Sequence, residues 1–128
     1  MSQTQDDLIY SLQQASGGGL VLDSTTALAA NATFKGTAFV TFGGFVEAEA
    51  NSDQTGTLYV DFSEDNFVTI AFSISAACGA PSSPVVAGTN ANSAQIKTAV
   101  YSLYARTRFT NGAVAQTAFQ VAHRTSTA

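Results

Sequence analysis

The chain has 128 residues, 11% of them charged, with a hydrophobic fraction of 45%, a formal net charge of −4 and a pI near 4.5. That length accommodates one domain that buries roughly two-thirds of the surface its unfolded chain exposes. With only five Lys and Arg in an acidic chain and no run of about 18 apolar residues, neither a nucleic-acid nor a membrane partner is expected.

Residues 1–19 read as an N-terminal arm. Within it TQDDLIYSLQQA, residues 4–15, places Leu8, Ile9, Leu12 and Ala15 at helical spacing, and Thr4 with Asp7 forms an S/T-x-x-D/E capping pattern. A short amphipathic helix follows, ended by the hinge Gly17-Gly18-Gly19. A helix of about three turns is marginal alone in water, so its apolar stripe calls for a partner surface. The first ten residues, MSQTQDDLIY, lack the basic region and cleavage site of a secretory signal, which implies synthesis in the cytoplasm.

From residue 20 to 128 the chain has all-β character. Strands are expected at 33–42, 45–50, 57–63, 67–75, 101–109 and 116–124, separated by turn signals at the spacing of a sandwich or barrel. In SDQTGTLYVDFSEDN, residues 52–66, Leu58, Val60 and Phe62 form an apolar face, and Thr57, Tyr59, Asp61 and Ser63 a wet one. Val68, Ile70, Phe72 and Ile74 give 67–75 the pattern of a central strand packed on one side. Residues 76–95 hold both prolines and read as a long loop, with an edge segment at 84–87. Asn111-Gly112 is a hairpin signal between the last two strands, whose inward residues are Leu103, Ala105, Phe109, Phe119 and Val121.

Candidates for chemistry are sparse. His123, the single histidine, lies on the Phe119 and Val121 face, and no nucleophile motif accompanies it. Glu47 and Glu49 sit at i and i+2 on one strand face, where solvated acids are common. The oxygen-rich segment Asp61–Asn66 lacks the glycine and distal glutamate of an EF-hand, so turn chemistry explains it. Cys78 lies in AACGAP with no second cysteine and reads as a buried thiol. Neither a catalytic residue nor a metal or cofactor is expected. Arg106 and Arg108 share a strand face and, with Arg124, form a small positive spot of solvated or ion-paired residues. Tyr59, Tyr101 and Tyr104 are candidates for stacking on a sugar or for a protein interface. The depletion of Lys and Glu itself suits a surface that packs against other proteins.

The segments LAANATFKGT (28–37), SDQTGTLYVDFSEDN (52–66) and YARTRFTNGAVAQTAFQV (104–121) resemble a β-sandwich module of tailed-bacteriophage virion proteins, found in head decoration and fibre-type proteins. The resemblance runs from Leu28 to Val121. It departs where SEDNF has Phe67 in place of an expected Trp. It implies an antiparallel, jelly-roll-like β-sandwich with a helical arm, in a non-enzymatic decoration (cement) protein. Such a protein forms a homotrimer on the major capsid protein at the outer surface of the phage head. In that picture Leu8, Ile9 and Leu12 make capsid or trimer contacts. The alternative it implies is a tail fibre or appendage that meets a host glycan through Tyr59, Tyr104, Arg106 and Arg108.

Overall fold

A computed structural model describes residues 19–41, 44–79 and 92–126. The strands are β1 (Val21–Ser24), β2 (Thr33–Lys35), β3 (Phe39–Val40), β4 (Phe45–Ser52), β5 (Gly56–Ser63), β6 (Phe72–Cys78), β7 (Asn92–Ala99), β8 (Tyr104–Asn111) and β9 (Phe119–Ser126). The expected helix at 4–15 and the segment at 84–87 lie outside the described residues.

Burial alternates residue by residue along β4, β7 and β8, as strands with one covered face require. One sheet runs β1-β9-β4-β7. The other runs β2-β8-β5-β6, with β3 beside β2 along the same edge of β8. All pairings are antiparallel. The pairs are nested: β5 with β6, then β4 with β7, then β2 and β3 with β8, then β1 with β9. A long hairpin folded over on itself gives this jelly-roll order, so the expected all-β sandwich is present.

Small side chains face large ones across the core. Ala48, Ala50, Ala94 and Val46 of the first sheet oppose Leu58, Phe62 and Phe109 of the second, and the Phe109 and Phe119 rings meet at 4.9 Å. Each fully buried Leu, Val or Phe stabilises the fold by about 1.5–3 kcal/mol. The expected strand 33–42 is interrupted between β2 and β3, where Gly36 lies so close to β8 that a Cβ would be 2.7 Å from Thr107 Oγ1 and 2.9 Å from Thr107 O.

Several expectations are corrected. Residues 64–71 form the loop between β5 and β6 instead of the start of a central strand, and Val68 is 83% exposed. Asn66 and Phe67 have φ of 54° and 66°, which no strand tolerates. The strand begins at Phe72, continues to Cys78 and lies at a sheet edge. The stretch read as a loop to residue 95 contains the start of β7, whose alternation NSAQIKTA uses polar residues even at buried positions such as Asn92 and Thr98. β1 was not foreseen at all.

Asn111-Gly112 does not close a hairpin, since β8 and β9 belong to different sheets. Asn111 still pairs with Gly56 at the end of β8, and its buried amide donates to the carbonyls of Leu28, Ala29 and Val114. Asn111 ties down the β1–β2 connection. SDQTG likewise carries the chain from one sheet to the other. The buried Asp53 carboxylate there accepts from Thr117 and Ala118, and Ser52 accepts from Gln116. Leu103 precedes β8 and is half exposed, whereas Ala105, Phe109, Phe119 and Val121 point inward as expected.

Candidate functional site

Residues directly opposite one another in antiparallel strands share a face. On the outer side of the second sheet this produces two adjacent rows: Lys35, Arg108, Tyr59 and Ser75, then Arg106, Asp61 and Ser73. A third row adds Tyr104 and Ser63.

Asp61 is the centre of this face. Arg108 grips it with two bonds, Nε to Oδ2 at 2.8 Å and Nη2 to Oδ1 at 3.0 Å, while Arg106 Nε donates to Oδ2 at 3.1 Å and Ser73 Oγ to Oδ1 at 2.7 Å. The Asp61 side chain is fully covered, and the arginines keep only 15% and 20% of their side-chain surface. Burial alone would raise the Asp61 pKa. The hydrogen bonds from Arg108 and Ser73, the Arg108 charge and the Arg106 bond together outweigh it, so the carboxyl is held below its ordinary value. Arg108 is raised in turn, chiefly by its bond to Asp61.

Each guanidinium also lies on a ring. Arg108 Cζ is 3.7 Å from the Tyr59 centroid and Arg106 Cζ 4.3 Å from that of Phe67. Phe67 reaches this position because the 64–71 loop folds back over the sheet. The Ser63 hydroxyl lies 2.7 Å from both Asp65 Oδ1 and Thr69 O, and it accepts from the backbone N–H groups of Asp65 and Phe67. Asp65 also accepts from the Thr69 backbone N–H at 3.0 Å and from the Thr69 hydroxyl at 2.8 Å. The wet face read from sequence is therefore dry at Asp61 and Ser63, both wholly buried beneath these groups.

Along the loop and the strand ends next to it the surface turns apolar. Val68, Ile70, Phe72, Tyr101 and Leu103 are all exposed, and Phe72 meets Tyr101 at 4.9 Å between ring centroids.

The other sequence candidates lie elsewhere. Arg124 is on the opposite sheet, where it pairs with Glu47, so it does not join Arg106 and Arg108. Glu47 also meets Lys97 at 3.8 Å. These residues, with Glu49, Gln95 and Leu20, line an open groove of about 470 Å³. His123 is buried between the sheets: its Nδ1 lies 2.8 Å from Asp23 Oδ2, and its ring stacks on Phe39 at 3.9 Å. The Thr107 hydroxyl donates to the same Asp23 carboxylate. Cys78 is buried, and burial pushes its thiol pKa up to about 11. Among the described residues no three His, Cys, Asp or Glu side chains gather as metal ligands. Leu8, Ile9 and Leu12 lie outside the described residues.

The Arg106–Asp61–Arg108 cluster was only half legible. Alternation puts both arginines on one face, and the same rule puts Asp61 on the outer face of its own strand. The register that joins them is not written locally. Phe67 and the exposed apolar end were missed because 67–75 mimics a strand.

The sequence matches none of the curated proteins compared with it. Among solved structures the chain is similar to one described as the crystal structure of PBSX exported protein XepA, with a TM-score of 0.64 at 18% identity. The likeness covers 84% of this chain and 36% of that one, so the chain spans about a third of its neighbour's length. The fold is thus shared with one part of a longer protein. The profile of the family described as the uncharacterised protein YqxG N-terminal domain matches residues 13–126. With most of its length matched in this way, the chain belongs to the YqxG N-terminal domain family.

Proposed function

We propose that this chain is a phage-associated, non-enzymatic structural protein, and more finely a head decoration (cement) subunit that trimerises on the major capsid protein. The observation that carries the attachment reading is the exposed apolar end formed by Val68, Ile70, Phe72, Tyr101 and Leu103. A small domain seldom leaves such side chains in water without a partner for them. The strand-by-strand resemblance to phage virion modules supports the setting, and the solved neighbour's description as an exported protein supports a location outside the cell or on the particle. In this reading Leu8, Ile9 and Leu12 add a second contact to the capsid or to sister subunits.

The test is to count copies of this chain per major capsid protein in purified particles by quantitative mass spectrometry. Hundreds of copies support decoration of the head. A few dozen or fewer shift the assignment to a tail or vertex appendage, and absence from the particle defeats it. Val68→Asp with Ile70→Asp should abolish attachment while leaving the sandwich's unfolding transition in place. Normal attachment of that variant would remove the apolar end from the proposal. The appendage alternative is favoured by one feature, the Tyr59 and Arg108 platform on the outer sheet face.

A further inference from the structure

We propose that the outer face of β5 and β8 is a binding site for an anionic polysaccharide whose charge is carried by carboxylates. It deepens the appendage reading and uses a face and residues separate from the apolar end.

Charge placement is the first ground. The chain carries four more acidic than basic residues, yet three of its five Lys and Arg, namely Lys35, Arg106 and Arg108, lie on this one face. Asp61 neutralises one of the three. Glu64 and Asp65 lie beyond the Ser63 end of the face, and the Asp65 carboxylate is already engaged by Ser63 and Thr69. The Lys35–Arg108–Tyr59 row, two residues further along each strand, has no second carboxylate opposite it. An excess of positive charge therefore remains at that row.

Donor geometry is the second. Asp61 takes Nε of Arg106 and both Nε and Nη2 of Arg108. The Nη1 and Nη2 nitrogens of Arg106 make no hydrogen bond to another described residue, while Arg108 is also drawn to the Tyr59 side chain. Both guanidiniums are held by the buried carboxylate on one side and by the Phe67 or Tyr59 ring on the other. A fork fixed in advance loses little side-chain freedom on binding a planar carboxylate. Lys35 is exposed and has no carboxylate partner among the described residues, so it adds a movable charge at the rim.

The third ground is what surrounds these groups. Thr33, Thr57, Thr110, Ser73 and Ser75 cover the rest of the face with hydroxyls, and Thr33 meets Thr110 at 3.2 Å. A protein interface core is depleted in charge and rich in apolar side chains. This face has the opposite make-up and suits sugar hydroxyls and ring carboxylates.

The full chain is titrated calorimetrically with polygalacturonate oligomers at low salt, with neutral dextran and a phosphate-linked polymer alongside. Binding to the uronate, absent for dextran and reduced by salt, is the expected result. Lys35→Gln leaves Asp61 and its partners untouched, and should weaken uronate binding about fivefold. Arg106→Lys with Arg108→Lys keeps the charge but removes the forks, and should weaken it further if the melting transition remains cooperative. Lys97→Gln, on the other sheet, should change nothing. No uronate binding, equal binding of dextran, preference for the phosphate polymer, or binding indifferent to Lys35→Gln would each overturn the assignment. None of these results depends on Val68 or Ile70, so they stand apart from the particle count.

Discussion

Arg108 and Asp61 lie on neighbouring strands, two residues out of direct register, and are joined by two hydrogen bonds of 2.8 and 3.0 Å. Arg106, directly opposite Asp61, supplies only one. Removing either arginine strands part of a buried charge, but the losses differ. Arg108→Gln should cost about 3 kcal/mol and Arg106→Gln about half as much, read from the midpoints of urea denaturation. A larger loss for Arg106→Gln would contradict the bidentate assignment.

The same carboxylate sets an acid response. The folded pKa of Asp61 lies below its ordinary value of 3.8, so the stability it contributes is present above that value. It is lost as pH falls through the folded value. Asp65 is also lowered, first by the Thr69 backbone N–H and then by the Ser63 and Thr69 hydroxyls, so its contribution too is lost only below its ordinary value. Asp61→Asn should therefore flatten the acid limb of the stability–pH curve without abolishing it. An unchanged slope below about pH 4 would show that Asp61 gains nothing from its partners on folding.

Cys78 offers the opposite sign. Its folded pKa of about 11 exceeds the ordinary value of 9.0, so the folded protein holds this proton more tightly than the unfolded chain does. Stability from this group is complete below 9.0 and is lost as pH rises toward 11. The native thiol should react with a disulfide reagent at neutral pH only through opening of the sandwich. Urea should accelerate that reaction in step with unfolding, whereas fast labelling without denaturant would place Cys78 in solvent.

At Gly56 a Cβ would lie 2.6 Å from the Phe109 ring and 2.7 Å from Thr110 O. Both neighbours are confined, one by the core and one by the ladder. Gly56→Ala should destabilise the fold by about 1–3 kcal/mol in thermal or chemical unfolding. A neutral effect would mean that β8 can retreat from β5.

The period-two alternation of β5, β8 and β9 was readable because these strands carry bulky residues inward, such as Phe62, Phe109 and Val121. β7 escaped notice because its buried positions hold Asn92, Ala94, Ile96 and Thr98, too weak a contrast against Ser93, Gln95 and Lys97. The loop at 64–71 was hidden for the converse reason. Val68, Ile70, Phe72 and Ile74 alternate cleanly, but Ser63 and Asp65 hold the backbone in a folded loop and leave Val68 and Ile70 in solvent. Turn residues also do not tell a hairpin from a passage between sheets. SDQTG and Asn111-Gly112 both mark passages, and their roles rest on distant partners, Thr117 for Asp53 and Leu28 for Asn111. In the candidate site, the arginines' shared face was local information. Their convergence on Asp61 was a matter of register.

The nested pairing of strands has a kinetic meaning. Among the strand pairs, β5 with β6 joins the nearest sequence neighbours, and each ladder outside it closes a longer loop, until Val21 meets His123. Zipping outward from the Ser63 loop keeps each closure cheap, because the ladders already formed leave only a short loop for the next one to close. An encounter of β1 with β9 before the rest has formed gains no such advantage. Weakening the loop with Ser63→Ala should therefore slow refolding. A comparable loss of stability introduced in β1 should act mainly by speeding unfolding.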